Sequence, residues 1–533
     1  MRVSRLLIFF FILLLFLPVS AELLISEVAP NTYGPYDEDE FIRILCLNRT
    51  ENLGDYSLSD LEETVNLPPI ILKPGESVYL TRNATLFRKY MREDAVEIPL
   101  PRLSNSGDEL LLLKGSEVVD AVRYGESREI EGWRGEPLDV PREGEILKRW
   151  NGDTDGREDW EGERPFYIGQ SEFSTVRSQG SVLCFTTRSS LEVLLDLLEE
   201  ARNSVCVATY LFDHPLIAEK LRELSERGVK VRILVEGDPA GGFEASESLR
   251  MVSESSEVRI MSSEKLRDRY RFMHAKCVVI DGKRALITTE NLNEKGFPVE
   301  EGNVGWGVVI SGEGAEFLQR VFEDDWNGYD VREFSERGVE MKFEGEYEGG
   351  GEGFFSCSAT YEVFVLPDSE FSVFLKGIDE ADEFLYLEQQ YIERDGTLMR
   401  EILRKASEGL EVRILLNDDE GNRITKEYLE EISKREGLDL EVRLLENLHT
   451  KAIVSENFVI ITSANMNDES ILLNREAGVI LYGEPAKFFR EVFEEDWSRA
   501  KSFNDGMSAA IKLSSGVLIA LIILLIRHFL ILR

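Results

Sequence analysis

A chain of 533 residues is too long for one hydrophobic core, so two to four domains are expected. It carries 61 basic and 100 acidic residues, a formal net charge of −39. Most of its surface therefore repels polyanions, which excludes a generally basic nucleic-acid binder and restricts any phosphate site to a local basic island.

The N-terminal end has the three parts of a signal peptide. The basic start MRVSR is followed by the apolar run LLIFFFILLLFLP and then by the small residues VSA. This pattern predicts a signal peptide over 1–21, cleaved after Ala21, with an uncleaved anchor helix as the alternative.

The C-terminal end is also apolar. The run Leu513–Ile526 is followed by Arg527 and Arg533, which predicts a transmembrane helix over 509–531 with these arginines on the cytoplasmic side. A buried or amphipathic helix is the alternative. We therefore expect a single-pass protein of the cell membrane whose ectodomain lies outside the cytoplasm.

Residues 22–125 consist of short apolar runs separated by Gly, Pro and Asn, which predicts an all-β sandwich. The phrases LLISEVAP, DEFIRILCLN, LGDYSLSD, LKPGESVYL, LSNSGDELLLL and VVDAVRYGE follow one another as in lamin-tail domains, and the segment resembles that immunoglobulin-like family. The resemblance implies a role in binding or positioning, with an unknown partner. The stretch 126–170, rich in Trp, Gly and charge, is predicted to be a connector.

From residue 171 helix and strand patterns alternate, which indicates an α/β architecture, and the block occurs twice. ARNSVCVATYLF (201–212) corresponds to ADEFLYLEQQYI (381–392), and FLQRVFEDDW (317–326) corresponds to FFREVFEEDW (488–497). A Gly- and Glu-rich stretch separates the copies. The predicted boundaries are 171–335 for the first repeat, 336–358 for a linker and 359–500 for the second repeat.

Two of the four histidines stand in one local pattern, HAK at His274 and HTK at His449. A spacing of two residues on a strand places the histidine and the lysine on one face. An imidazole can act as nucleophile or acid near neutral pH, and a lysine supplies positive charge for an oxyanion. Each pattern ends in an asparagine, Asn291 or Asn465, which supplies amide donors. Two such half-sites facing each other would form one complete anion clamp.

The spacing H-x-K-x4-D, with an Asn ten residues beyond the Asp, resembles the motif of the phospholipase D superfamily. The first copy fits except that Thr288 and Thr289 replace the usual Gly-Ser, whereas the second copy lacks the Asp. The resemblance implies a bilobed α/β fold with the motifs meeting on a pseudo-twofold axis. It also implies cleavage of phosphodiesters through a phosphohistidine, without metal or cofactor. The implied catalytic residues are His274, Lys276, Asn291, His449, Lys451, Asn465 and Glu476, with Asp281, Thr289 and Ser463 in supporting roles.

The five cysteines show no CxxC spacing, and the Asp and His residues show no cluster with metal-ligand spacing, so no metal site is predicted. Asp281 lies across a turn from His274 and is predicted to structure a loop rather than to act in catalysis.

The two histidines are predicted to have different roles. Glu476 follows the second motif at the family's acid position, whereas Gly305 takes that place in the first copy. A carboxylate bonded to an imidazole favours its protonated form. We therefore expect Glu476 to make His449 the general acid and to leave His274 as the nucleophile, with Glu301 as another acid that could replace the missing one in space.

Four basic residues precede the first motif in the phrase EKLRDRYR: Lys265, Arg267, Arg269 and Arg271. They form a possible phosphate track, with a solvated loop as the alternative. They would favour a nucleic acid, whereas membrane proximity and the acidic surface favour phospholipid. We expect a phosphodiesterase or phosphatidyl transferase, with an extracellular nuclease or a non-catalytic surface scaffold as alternatives. Both motifs lie in one chain, so a monomer should form the catalytic unit.

Overall fold

The computed structural model describes residues 22–162, 164–261, 267–336 and 353–500. They divide into two compact units: the first ends at Gln170 and includes Gly328–Asp330 and the described part of Glu264–Arg269, and the second holds the rest. The predicted signal peptide, the predicted transmembrane helix and Lys265 lie outside the described residues. Within those ranges, no helix combines the length and the apolar character needed to cross a membrane.

The first unit is built mainly from short strands. Its strands and its α-helix are β1 (Leu23–Ala29), β2 (Phe41–Cys46), β3 (Glu51–Asn52), β4 (Ser57–Ser59), β5 (Thr64–Asn66), β6 (Ile71–Leu72), β7 (Ser77–Thr81), α1 (Ala84–Met91), β8 (Ala95–Glu97), β9 (Gly107–Lys114), β10 (Glu117–Gly125), β11 (Glu145–Lys148) and β12 (Phe166–Tyr167). Short 3₁₀ turns occur at Pro35–Asp37, Leu53–Asp55 and Arg157–Asp159.

The strands of this unit form a six-stranded sheet, β12-β11-β1-β2-β7-β8, and a four-stranded sheet, β10-β9-β4-β5. Alternate residues of both sheets, such as Ile42 and Leu112, are buried in one core, as a sandwich requires. The β-rich region agrees with the expected sandwich, and the resemblance to lamin-tail domains stays a prediction.

The stretch 126–170 is not the connector that we expected. Its strand β11 pairs antiparallel with β1, and β12 extends the same sheet. Trp133 and Trp160 are buried in the sandwich core. The stretch belongs to the first unit because these apolar side chains leave water only by packing there.

The second unit alternates strands and helices, as the sequence predicts. Its strands are β13 (Val176–Thr186), β14 (Ser204–Thr209), β15 (Phe212–Asp213), β16 (Lys230–Glu236), β17 (Glu257–Met261), β18 (Cys277–Ile280), β19 (Arg284–Thr288), β20 (Leu292–Asn293), β21 (Trp306–Ser311), β22 (Val331–Glu333), β23 (Phe354–Leu366), β24 (Phe384–Gln389), β25 (Glu411–Asn417), β26 (Leu440–Leu445), β27 (Lys451–Val454), β28 (Phe458–Thr462) and β29 (Glu476–Tyr482). Its helices are α2 (Thr187–Glu199), α3 (Pro215–Glu226), α4 (Glu247–Val252), α5 (Glu313–Trp326), α6 (Ser372–Glu380), α7 (Thr397–Ser407), α8 (Glu420–Glu436), α9 (Asp468–Leu473) and α10 (Glu484–Arg499).

One continuous sheet of fifteen strands runs through both repeats, in the order β22-β17-β16-β14-β18-β19-β21-β13-β23-β29-β28-β27-β24-β25-β26. The order is the same on both sides of the central antiparallel pair β13–β23, apart from the extra edge strand β22. The repeats are thus related by a pseudo-twofold axis through that pair. One core contains buried residues of both repeats, including Trp306 stacked on Phe489.

Helix positions follow the local sequence signals. Leu191, Leu194 and Leu198, which recur at helical intervals in the sequence, are buried on one face of α2. His214 precedes α3 and its ring nitrogen Nδ1 accepts a hydrogen bond from the backbone N–H of Ile217, so this histidine is a helix cap.

Candidate active site

The two histidine motifs occupy equivalent places in the two repeats, just before β18 and at the start of β27. Both open into one cavity of about 760 Å³ within the second unit. The cavity gathers four of the predicted catalytic side chains, and its walls are partly aromatic. Residues that line it include His274, His449, Asn291, Asn465, Tyr210 and Tyr391.

The backbone of each histidine is bound to the opposite repeat. The N–H of His274 donates to the carbonyl oxygen of Arg475 at 2.9 Å, and the N–H of His449 donates to that of Val304 at 2.8 Å. Each histidine therefore lies beside the residue that follows its partner, Glu476 in one case and Gly305 in the other.

Glu476 is the partner of His274, so the expectation that it pairs with His449 is wrong. Nδ1 of His274 lies 2.8 Å from Oε1 and 3.0 Å from Oε2 of Glu476. An ionised carboxylate only accepts hydrogen bonds, so Nδ1 carries the proton and Nε2 is left with a lone pair. The sequence-based assignment failed because it assumed that an acid serves the histidine of its own repeat.

His449 has its own carboxylate, Glu290, which the sequence analysis did not select. Nδ1 of His449 lies 3.1 Å from Oε1 of Glu290. Glu290 is 1% exposed and stands directly before Asn291. A signal was present in the sequence, because a carboxylate beside a predicted catalytic asparagine is a candidate partner. Glu301, the acid considered earlier, is exposed to solvent.

Burial disfavours the charged form of both imidazoles. Burial lowers the pKa of His274 to about 4, against the opposing effect of Glu476, and the charges of Lys276 and Lys451 lower it further. Burial also lowers the pKa of His449, and Lys451 acts in the same direction. A neutral imidazole with its proton held on Nδ1 has the form that a nitrogen nucleophile needs.

The two lysines are fully buried beside the histidines. Burial lowers the pKa of Lys276 to about 7 and that of Lys451 to about 8, although Glu476 and Glu290 oppose the shift. Nζ of Lys276 donates to the carbonyl oxygen of His274 at 2.7 Å, and Nζ of Lys451 donates to Oε1 of Gln390 at 2.8 Å. An anionic ligand in the cavity would favour the charged form of both lysines.

The asparagines and hydroxyl residues complete the two halves. In the described part of the chain, the side-chain oxygens of Asn291 and Asn465 accept no hydrogen bond, and both residues line the cavity. Ser463 donates to Oε2 of Glu476 at 2.5 Å, and Thr289 has a longer contact of 3.4 Å with Oε1 of Glu290. Thr289 and Ser463 therefore support the carboxylates and do not line the cavity.

Asp281 lies away from the cavity, in the turn between β18 and β19, with φ of 53°. Its carboxylate accepts hydrogen bonds from the backbone N–H groups of Arg202, Asn203 and Ser204. The prediction that it structures a loop is confirmed. The missing Asp of the second copy therefore removes no group from the site.

The predicted phosphate track is wrong for Arg269. The side chain of Arg269 is fully buried in an ion pair with Asp330 at 2.8 Å, and Arg267 pairs with Glu143. Arg271, half exposed, forms an ion pair with Glu469, a residue that lines the cavity. The sequence could not distinguish these arginines because burial depends on distant acidic partners. In the described ranges, no group of three or more His, Cys, Asp or Glu residues is placed to hold a metal ion.

Comparison with protein families gives two matches along the chain. The family described as "Cardiolipin synthase, PLD-like domain" matches residues 194–326 and again 374–497. These are the two repeats, including both histidine motifs.

Curated relatives include cardiolipin synthases. Cardiolipin synthase 2 of Bacillus anthracis is 24% identical over 319 residues, which cover 55% of this chain and 59% of the relative. Cardiolipin synthase of Geobacillus thermodenitrificans is 24% identical over 340 residues, or 60% of this chain and 65% of the relative. The chain thus spans about three fifths of the length of the curated relatives that it matches.

Among solved structures, the chain matches phosphatidylserine synthase from Haemophilus influenzae with a TM-score of 0.46 and 14% identity. The match covers 61% of this chain and 87% of that chain. The phospholipase D family member Nuc from Salmonella typhimurium has a TM-score of 0.25 and 22% identity, and covers 30% of this chain and 99% of its own.

Proposed function

Because its two repeats belong to the phospholipase D superfamily, we propose that this protein is a phosphodiesterase or phosphatidyl transferase that acts on phospholipids through a phosphohistidine. The observation that carries the proposal is the pairing of two histidines, each bonded to a buried carboxylate of the other repeat, around one cavity. The arrangement supplies one nitrogen nucleophile and one proton donor within a single unit.

In the first step, Nε2 of His274 attacks phosphorus and the bond to the leaving-group oxygen breaks, while His449 in its protonated form gives that oxygen a proton. His274 is assigned as nucleophile because both oxygens of Glu476 contact its Nδ1, which stabilises the positive charge that develops on the ring. Lys276, Lys451 and the two asparagines hold the non-bridging oxygens as their charge changes.

In the second step, His449 takes a proton from the acceptor, either water or an alcohol. The acceptor oxygen forms the new bond to phosphorus, and the bond between phosphorus and Nε2 of His274 breaks. Water as acceptor gives hydrolysis, whereas an alcohol gives transfer.

A phospholipid substrate is favoured over nucleic acid. The curated relatives are cardiolipin synthases, at 24% identity for the two described above. The basic run that favoured a nuclease is weakened, since Arg269 is buried and Arg267 is ion-paired, which leaves Arg271 beside the cavity. A non-catalytic scaffold has less support still, because both half-sites retain the histidine, the lysine and the asparagine.

The test is to incubate the purified protein with phospholipid vesicles, with single-stranded DNA and with a chromogenic phosphodiester. We expect release of a head group, or its exchange with an added alcohol, and little cleavage of DNA. Matched variants are His274→Ala and, as a control outside the site, His214→Ala. Cleavage of DNA alone would indicate a nuclease, and cleavage of none of the three would indicate a scaffold.

We also propose the topology that the two apolar ends predict: a single-pass membrane protein whose catalytic unit faces outward. Protease added to intact cells should remove the mass between the two ends. Complete protection in sealed, right-side-out cells would contradict this topology.

A further inference from the structure

We infer that Glu290 is a positioning residue for His449. In the other half the acid is Glu476, but the equivalent position in this half is Gly305, so the carboxylate comes from position 290 instead. The inference rests on the proposed function, since it assigns a part in that reaction. It would explain how the half-site of His449 works without the acid that the sequence pattern leads one to expect.

The first argument is that the two carboxylates are held in the same surroundings. An asparagine two residues before the acid position donates in both halves: Asn474 to Oε1 of Glu476 at 3.2 Å, and Asn303 to Oε2 of Glu290 at 2.8 Å. A hydroxyl group contacts each carboxylate, from Ser463 in one half and Thr289 in the other. Each carboxylate thus has one asparagine and one hydroxyl contact from equivalent positions of the two repeats, although the two carboxylates themselves come from non-equivalent positions.

The second argument is the space above Gly305. A Cβ atom added there would lie 2.0 Å from Oε1 of Glu290, and the three nearest atoms all belong to that side chain. Gly305 has no positive φ that would require glycine. The carboxylate of Glu290 therefore occupies the space that a side chain at position 305 would take.

The third argument is that the exchange is reciprocal. In the phrases TTEN and TSAN, Glu290 corresponds to Ala464, and Gly305 corresponds to Glu476. Each half thus has one acid and one small residue at these two positions, in opposite order. Since both acids are at most 1% exposed, the arrangement places one buried carboxylate against each imidazole, and at Gly305 it leaves no room for a second.

The consequence is chemical. The hydrogen bond from Nδ1 of His449 to Glu290 fixes the ring's orientation and tautomer, so that Nε2 faces the reacting oxygens. It also favours the protonated ring during proton transfer. Because Glu290 adjoins Asn291, the same short segment positions the proton donor and a ligand of the phosphate oxygens.

The kinetic test moves the carboxylate back to position 305. Glu290→Ala should lower kcat/KM for a phospholipid by at least about tenfold, because general acid–base catalysis contributes about 10²- to 10⁴-fold. Gly305→Ala should also be impaired, since its Cβ displaces Glu290. The double variant Glu290→Ala/Gly305→Glu recreates the arrangement of the other half and should recover most of the loss. Glu301→Ala is the exposed control and should match the wild type.

A second readout does not depend on turnover. With only four histidines, the imidazole signals of the ¹⁵N-labelled full chain can be assigned by NMR with His274→Ala and His449→Ala. We expect His449 to carry its proton on Nδ1, to shift towards the Nε2–H tautomer in Glu290→Ala, and to return in the double variant.

An unchanged His449 tautomer in Glu290→Ala would overturn the inference, as would a double variant no more active than Glu290→Ala although its histidine spectrum is native. If the wild type cleaves no phosphodiester but the tautomer shifts as expected, the inference on Glu290 holds and the proposed function fails.

Discussion

Glu476 in the second repeat contacts Nδ1 of His274 in the first repeat with both carboxylate oxygens, at 2.8 and 3.0 Å, across 202 residues of sequence. The contact is possible because the backbone of His274 is bonded to that of Arg475, the residue before Glu476. His449 and Glu290 form the corresponding pair. Neither repeat therefore contains a complete pair of histidine and acid by itself.

The roles of the two histidines can be separated with a labelled substrate that has a good leaving group, such as nitrophenol. Departure of this group needs no proton, so His449→Ala should still form phospho-His274, and the intermediate should accumulate because its breakdown needs a base. His274→Ala should accumulate none. Mass spectrometry after denaturation without acid locates the label. Label on His449 of the wild type would reverse the assignment.

The pH dependence should place the optimum on the acid side of neutrality. His274 becomes a nucleophile above its pKa of about 4, and Lys276 and Lys451 lose their charge as the pH rises through about 7 and about 8. We therefore expect kcat/KM to be largest between these limits and to fall in alkaline solution. The measurement is a full pH profile with the chromogenic diester, whose leaving group departs without a proton, so that the charge of His449 does not limit the first step on the alkaline side.

A variant sharpens this test. Lys276→Arg keeps its charge at alkaline pH, so its alkaline limb should move to higher pH even if its maximal rate is lower. An activity of the wild type that keeps rising beyond the pKa of Lys451 would contradict the assignment of the lysines.

A single chain should be a complete catalytic unit. Mixing His274→Ala chains with His449→Ala chains should give no more activity than the sum of the two, because each cross-repeat pair forms within one chain. The control is a mixture of wild type with either variant, which should have activity in proportion to the wild type. Restored activity in the mixture of variants would mean that chains exchange repeats.

Arg475 should be essential for stability. Its fully buried guanidinium pairs with Asp325 at 3.0 Å and with Asp368 at 2.7 Å. Arg475→Met leaves both acids buried without this cation, which should cost about 3–5 kcal/mol. The unfolding midpoint in denaturant measures the effect.

The matched control is Arg404→Met. Arg404 also pairs with several acids, Asp379, Glu401 and Glu408, but is 42% exposed. Its loss should shift the unfolding midpoint far less than the loss of Arg475, because water screens exposed ion pairs. Equal effects of the two substitutions would contradict the role given to Arg475.

The sequence by itself determined the repeat, the α/β alternation and the two half-sites. These features depend on short spacings: His274 and Lys276 share a face because they are two apart on an extended segment, and the leucines of α2 recur at helical intervals. Asp281 could be assigned to a loop because it stands in the Asp-Gly turn that directly follows a short strand pattern. Its partners, the backbone N–H groups of Asn203 and Ser204, lie 78 and 77 residues away and were not predicted.

Only the tertiary structure decided which acid serves which histidine. In the folded sheet each histidine lies against a strand terminus of the other repeat, as His274 does at the start of β29. No spacing along the chain encodes that contact. The tertiary structure also decided that Arg269 is buried while Arg271 lies near the cavity, although they are two residues apart. The physical reason is common to both: burial and pairing of a charged side chain depend on groups hundreds or tens of residues away, which the folded sheet alone brings within hydrogen-bonding distance.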